Sequence, residues 1–210
     1  MFLGIDLSGK YGVCMKKIAV FMGDMSGEFQ IELAESIKRE AKSRGLGVFI
    51  FTNAGVYGAN VFYSQGEKNI IHLPYLNDYD GIIVAGDTFG VENMDEELAE
   101  LLKSEVKCPV VCIRQKDERF SNVLVDDYTA MCTMVEHFIE HHGFRRICFM
   151  TGRLEMYDAQ RRLLAYINTM QKHGIKVTPE MVFEGDYWRN LGGMAVDWFL
   201  QNPDCLPEAI

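Results

Sequence analysis

The chain has 210 residues, of which 48% are hydrophobic and 24% charged. That usage is ordinary for a globular protein, excludes a disordered chain, and is long enough to bury a core without disulfide staples. A formal net charge of -9 repels phosphate backbones, so this segment is not expected to bind nucleic acid directly.

No segment approaches the run of about 20 apolar residues that a membrane helix needs. The opening MFLGIDLSGKYGVC lacks the charged start, apolar centre and small-residue cleavage site of a signal peptide. A cytoplasmic protein without a membrane contact is the expectation. Cysteines stand at 14, 108, 112, 132, 148 and 205, with no C-x-x-C pair, and read as reduced, mostly buried thiols.

Residues 1–15 carry no periodic pattern and read as an N-terminal arm. KKIAVFM (16–22) then reads as a buried strand, and Gly23–Gly27 as a loop. Phe29, Leu33, Ile37 and Ala41 recur at helical spacing, which predicts a helix from Glu28 to Ser43 closed by Arg44 and Gly45. GVFIF (47–51) is a second strand, TNAGVYGANVFYSQ reads as irregular, and GEKNIIHLPYL as a short helix broken at Pro74. Further strands are predicted at 81–86, 109–113, 121–125, 146–150 and 181–184, and further helices at 95–107, 127–142, 158–173 and 191–200. The alternation, with strands that are continuous apolar runs, predicts an α/β protein with a doubly wound parallel sheet. So many strands suit two lobes better than one sheet. The irregular stretch RQKDERF (114–120) is the expected crossover, giving an N-terminal lobe at 16–116 and a C-terminal lobe at 117–210.

From Val123 onward the order of motifs is specific. VDDYTAMCTMVEHFIEHHGFRRICFMTG, DAQRRLLAYINTMQKHGI and EGDYWRNLGGMAVDWFL resemble the second half of LacI/GalR-type sensor domains. The landmarks are Asp126 and Asp127, His137, Gly143, Arg145 and Arg146, Gly152, Arg162, and Gly185-Asp186-Tyr187. KKIAVF, GVFIF, YDGIIVAGDT and PVVCI fit the first half, so the resemblance covers residues 16–210, each motif alone being weak. It implies a two-lobed, periplasmic-binding-protein-like fold, a small-molecule ligand that closes the lobes, and a homodimer. The helix-turn-helix of the family's repressors has no room in residues 1–15, and the chain ends at LPEAI where the family's sheet enters another strand. The expectation is therefore a sensor piece fused to an output such as a diguanylate cyclase or kinase. Alone, it is expected to keep uncovered strand edges and to be poorly soluble.

Ligands of open parallel sheets sit beyond the carboxyl ends of the strands. That places Ser26, Phe29, Asp87, Thr88, Arg114 and Asp158 in candidate ligand loops. Asp87 reads equally well as a helix cap. The resemblance adds Arg162, Tyr187 and Trp188; from composition alone Arg162 reads as a solvated helix residue, and one of the two aromatics as structural. An arginine fork with flat aromatic walls suits a sugar, a nucleobase or a small organic acid, and the expected ligand is a sugar, a nucleoside or a similar metabolite.

Other constellations carry less. His137 and His141 are four apart on a helix face, a spacing that suits zinc, but cations at a helix C-terminus already offset its dipole. Gly23-x-x-x-Gly27 matches neither dinucleotide nor P-loop pattern. Cys108 and Cys112 lack a histidine and an acid in sequence reach, and Ser26 and Ser64 lack a nucleophile elbow. No catalytic set, cofactor or metal is expected. The alternative is a Rossmann-like nucleotide-dependent enzyme or a glycosyltransferase fragment.

Overall fold

A computed structural model describes residues 15–54, 61–187, 189–201 and 206–210. The sequence readings at 1–14, Cys14, 55–60, Trp188 and Cys205 lie outside the described residues. The chain divides into two units between Val123 and Leu124.

The first unit runs β1 (Lys17–Gly23), α1 (Glu28–Ser43), β2 (Gly47–Asn53), α2 (Val61–Lys68), β3 (Gly81–Ala85), α3 (Met94–Glu105), β4 (Val110–Ile113) and β5 (Ser121–Val123), with 3-10 turns at Asn69–His72, Leu76–Asp78 and Gly86–Thr88. All five strands are parallel, in the order β2-β1-β3-β4-β5. Successive side chains of β1 serve opposite faces, as the period of two requires. Val20 and Met22 pack with Ala34 of α1, while Ala19 and Phe21 pack with Ile71, Leu98 and Leu102 on the other side. Both faces are apolar, which is why β1 reads as a continuous hydrophobic run.

Two expectations change here. Residues 61–65, read as irregular, lie in α2, whose Glu67 carboxylate accepts a 2.6 Å hydrogen bond from the Ala54 amide just after β2. The division between units falls after Val123 instead of within 114–120, because β5 pairs with β4 and the Arg114 amide donates to Val123 at 2.8 Å. Arg119 ties the intervening loop to α3: it bonds Asp117, Glu96 and Glu100 at 2.6–2.8 Å. Those hydrogen bonds hold the Asp117 and Glu96 carboxyls below the usual carboxylate range.

The second unit runs α4 (Asp127–Glu140), β6 (Phe149–Met150), α5 (Tyr157–Lys172), β7 (Val182–Phe183) and α6 (Gly192–Leu200). β6 and β7 are parallel, and Ile147 makes a parallel bridge to Ala209 on the other side. Glu208 secures that bridge by accepting from the amides of Arg145 and Arg146 at 2.8 and 2.9 Å. Its core gathers Val135 and Ile139 of α4, Cys148, Tyr166 and Met170 of α5, and Phe199 of α6. Tyr166 is fully buried, stacks on Phe149 at 5.0 Å between centroids, and donates its hydroxyl to the Ile147 carbonyl at 2.8 Å. Tyr166→Phe keeps the ring and orphans that carbonyl, so urea melts are expected to show a loss of about 1–2 kcal/mol. An unchanged midpoint would mean the carbonyl is satisfied another way.

Cys112 and Cys148 are buried and Cys108 and Cys132 half-buried. Among the described residues no helix is long and apolar enough to cross a membrane.

Candidate functional site

In each unit, polar side chains collect where strands end at their carboxyl termini. In the first unit β1 delivers the loop Asp24–Gly27, β3 delivers the turn Gly86–Thr88, and β4 delivers Arg114. Arg114 sits at φ 62°, a left-handed conformation. Its guanidinium lies 4.8 Å from the Phe29 ring centroid, and Nε is 3.3 Å from the Asp87 carboxylate. Phe29, Asp87 and Arg114, far apart in sequence, therefore form one cluster. The Ser26 hydroxyl donates to Asp24 in the neighbouring loop, where Asp24 also has a positive φ of 46°.

Thr88 has a different task. It is buried, donates to the Ala85 carbonyl at 2.6 Å, and accepts from the Gly23 amide at 2.7 Å. Its hydroxyl holds the ends of β1 and β3 together, so Thr88 shapes the site from below. Asn53, which the sequence reading passed over, does the same from β2: its side-chain amide donates to the Phe89 carbonyl at 2.8 Å.

In the second unit Arg162 is the centre. Its Nε and one Nη donate to the same Asp127 oxygen at 2.8 and 2.6 Å, and the Asp158 carboxylate lies 3.4 Å away. The Tyr187 ring stands 5.8 Å from the guanidinium. Burial works against the Arg162 charge, but the Asp127 hydrogen bond and the charges of Asp127 and Asp158 outweigh it and raise its pKa. Arg161, its neighbour, lies on the Tyr128 ring at 4.5 Å. Asp126 caps α4 through the Thr129 amide at 3.1 Å, leaving Asp127 to face Arg162. The doubled aspartate thus has two separate jobs. Asp127 was legible as a landmark but not as the arginine's principal partner.

Tyr187 is held at φ 71°, and its ring lies against Gly152 so closely that a β-carbon there would come within 1.9 Å of the ring. Burial first, then the Asp158 carboxylate, push the phenol up to about 12. The raised pKa means the folded chain holds this proton longer than the unfolded one. Stability from this group is complete below the ordinary value near 10 and is expected to fall between about 10 and 12. A difference ultraviolet titration of the wild type against Tyr187→Phe should show one phenol ionising near the upper value; ionisation at the ordinary value would place Tyr187 in open solvent.

Four non-glycine residues among those described have positive φ, and three of them, Asp24, Arg114 and Tyr187, belong to these two groups. Such backbone is costly, about 1–3 kcal/mol each, and gathers at ligand clamps. Among the described residues no three His, Cys, Asp or Glu side chains converge as a ready metal site.

The order of elements and the parallel sheet match solved transcription regulators. The regulator CcpA of Lactococcus lactis superposes with a TM-score of 0.69 at 17% identity, over 89% of this chain and 65% of that one. The chain has the fold of the LacI-type regulators. Among curated sequences it is similar to catabolite control protein A of Priestia megaterium, 28% identical over 95% of this chain and 57% of that protein. It is also similar to the repressor CytR of Escherichia coli strain K12, 26% identical over 90% of this chain and 52% of that protein. The chain thus spans about half the length of the curated relatives it matches. No family profile matches it. Within the LacI-type fold, the strand-end clusters occupy the side on which open parallel sheets take ligands.

Proposed function

We propose that the chain is the small-molecule-sensing part of a cytoplasmic regulator, with a neutral, hydroxyl-rich metabolite such as a sugar or nucleoside as its ligand. The observation that carries this is the charge balance of strained, preorganised polar groups. Arg162 faces two carboxylates, Asp127 and Asp158, and Arg114 faces Asp87. Neither guanidinium is left as an uncompensated positive charge, so a phosphate or carboxylate would meet repulsion from the aspartates. Hydroxyls both donate and accept, and suit alternating guanidinium, carboxylate and phenol groups. Phe29 and Tyr187 supply the flat apolar surfaces that a sugar or nucleobase face needs.

The signal in this reading is closure of the two units on the ligand, read by an attached output and shared across a homodimer. An organic acid is disfavoured by the same charge balance, and Trp188 remains part of the proposal only through the family pattern. The relatives are regulators by name, and burial pushes the Cys112 thiol up to about 11, the opposite of an activated nucleophile. Mass spectrometry of the chain incubated with sugars and nucleosides should show bound metabolite and no conversion. Turnover would contradict the sensor reading.

A further inference from the structure

A guanidinium binds a phosphate or a carboxylate as a fork, through one of two pairs of nitrogens: Nε with Nη2, or the two Nη together. In Arg162 both pairs are engaged. Nε and Nη2 donate to one Asp127 oxygen at 2.8 and 2.6 Å, which takes the first pair. Nη2 also lies 3.4 Å from the Asp158 carboxylate, so the second pair shares a nitrogen with a negative charge. Among the described residues Nη1 makes no hydrogen bond, and the side chain is partly exposed.

The two carboxylates are held differently. Asp158 also accepts from the Ala159 amide at 2.8 Å and shares a hydrogen bond with the Tyr187 phenol. The Asp127 side chain, among the described residues, has Arg162 as its one hydrogen-bonding partner. Helix capping falls to Asp126, so Asp127 has no part in it. One guanidinium against two carboxylates leaves the cluster with one negative charge in excess.

We propose that Asp127 sets the charge selectivity of this site, holding the Nε–Nη2 edge of Arg162 as an internal anion. Nη1 alone is then left for the ligand. A hydroxyl oxygen needs one donor and no counter-charge, and is accepted there. A phosphate needs a fork and a net positive charge, and finds neither. Asp127 acts through Arg162, and the proposal rests on the reading of the Arg162 cluster as part of a ligand site. An uncharged residue at 127 would balance the cluster one to one and release the edge. An asparagine could also turn its side-chain amide toward an anion.

The probe is inorganic phosphate, titrated calorimetrically into the full chain at low ionic strength. Asp127→Asn is expected to bind it about tenfold or more tightly than wild type. Asp126→Asn removes the same charge one residue away and keeps a helix-capping side chain, so phosphate affinity is expected to stay at the wild-type level. Adding Arg162→Met to Asp127→Asn should abolish the gain, which locates it at the guanidinium. Circular dichroism checks the fold of each variant, and Asp127→Ser stands in if the asparagine variant does not fold. Equal phosphate affinity in wild type and Asp127→Asn would overturn the proposal, and so would a gain that Asp126→Asn reproduces. Failure of the ligand-site reading has another signature. Sugar or nucleoside binding that is indifferent to Arg162→Met would remove the cluster from the ligand site and leave the phosphate result standing.

Discussion

Gly23→Ala is expected to destabilise the first unit by about 3–5 kcal/mol, among the largest effects of any single methyl group in the chain. Gly23 ends β1, the strand that pairs with both β2 and β3. A β-carbon there would lie 2.3 Å from the Thr88 carbonyl oxygen, 2.5 Å from the Asn53 side-chain oxygen and 2.7 Å from the Phe89 α-carbon. Two of those atoms are backbone and the third belongs to a buried side chain that is itself hydrogen-bonded, so none yields cheaply. Overpacking a tight core forces backbone shifts, and here the shift would break the Gly23–Thr88 and Asn53–Phe89 hydrogen bonds together. Denaturant melts of the variant should show a large fall in midpoint or loss of the cooperative transition, with ligand binding lost as well. A midpoint within about 1 kcal/mol of wild type would mean that the strand ends are not packed as described.

Arg162→Met is the second large effect, and it separates binding from folding. Methionine keeps much of the packing volume and removes the charge. Asp127 and Asp158, whose side chains are only 11% and 7% exposed, would then face each other without the guanidinium that compensates both. Removing the charge that compensates two buried carboxylates costs up to a few kcal/mol, but the Ala159 amide still donates to Asp158, the Arg162 side chain is 33% exposed, and water replaces part of its role. A stability loss of about 1–2 kcal/mol is expected. Ligand affinity should fall by about 1.5–3 kcal/mol beyond that, the range for losing a charge-assisted hydrogen bond. Unchanged affinity in a folded variant would remove Arg162 from the site.

How much of this was legible in sequence depends on the range of the interaction. Helix α1 was read to the residue, because Phe29, Leu33, Ile37 and Ala41 mark its face and Gly45 its end. β1, β3 and β4 were legible because both faces of the sheet are covered there and the apolar runs are unbroken. The second unit's strand at 146–150 reads as long but forms ladder pairs only over Phe149–Met150, because Ile147 bridges instead to Ala209, more than sixty residues away. β5 was placed correctly yet assigned to the wrong unit. Its pairing with β4, and the Arg119 clamp on α3, are contacts that no local pattern announces.

The candidate site shows the same limit. Strand-end loops pointed to Ser26, Phe29, Asp87 and Arg114, and the family pattern pointed to Arg162 and Tyr187. What sequence did not reveal was the division of labour within short motifs. Asp126 caps while Asp127 pairs, and Thr88 is turned into the fold while Asp87 meets Arg114. Tyr187 is placed by Gly152, thirty-five positions earlier, whose lack of a side chain makes room for the ring.

The most direct test of the sensor reading is calorimetry of the purified chain against matched pairs: hexoses, pentoses and nucleosides, each beside its phosphorylated counterpart. The account predicts that binding, where found, is to a neutral member, with the phosphorylated partner weaker by about tenfold or more because Asp127, Asp158 and Asp87 already balance the two arginines. Tight binding of a phosphorylated member, with its neutral partner silent, would contradict it.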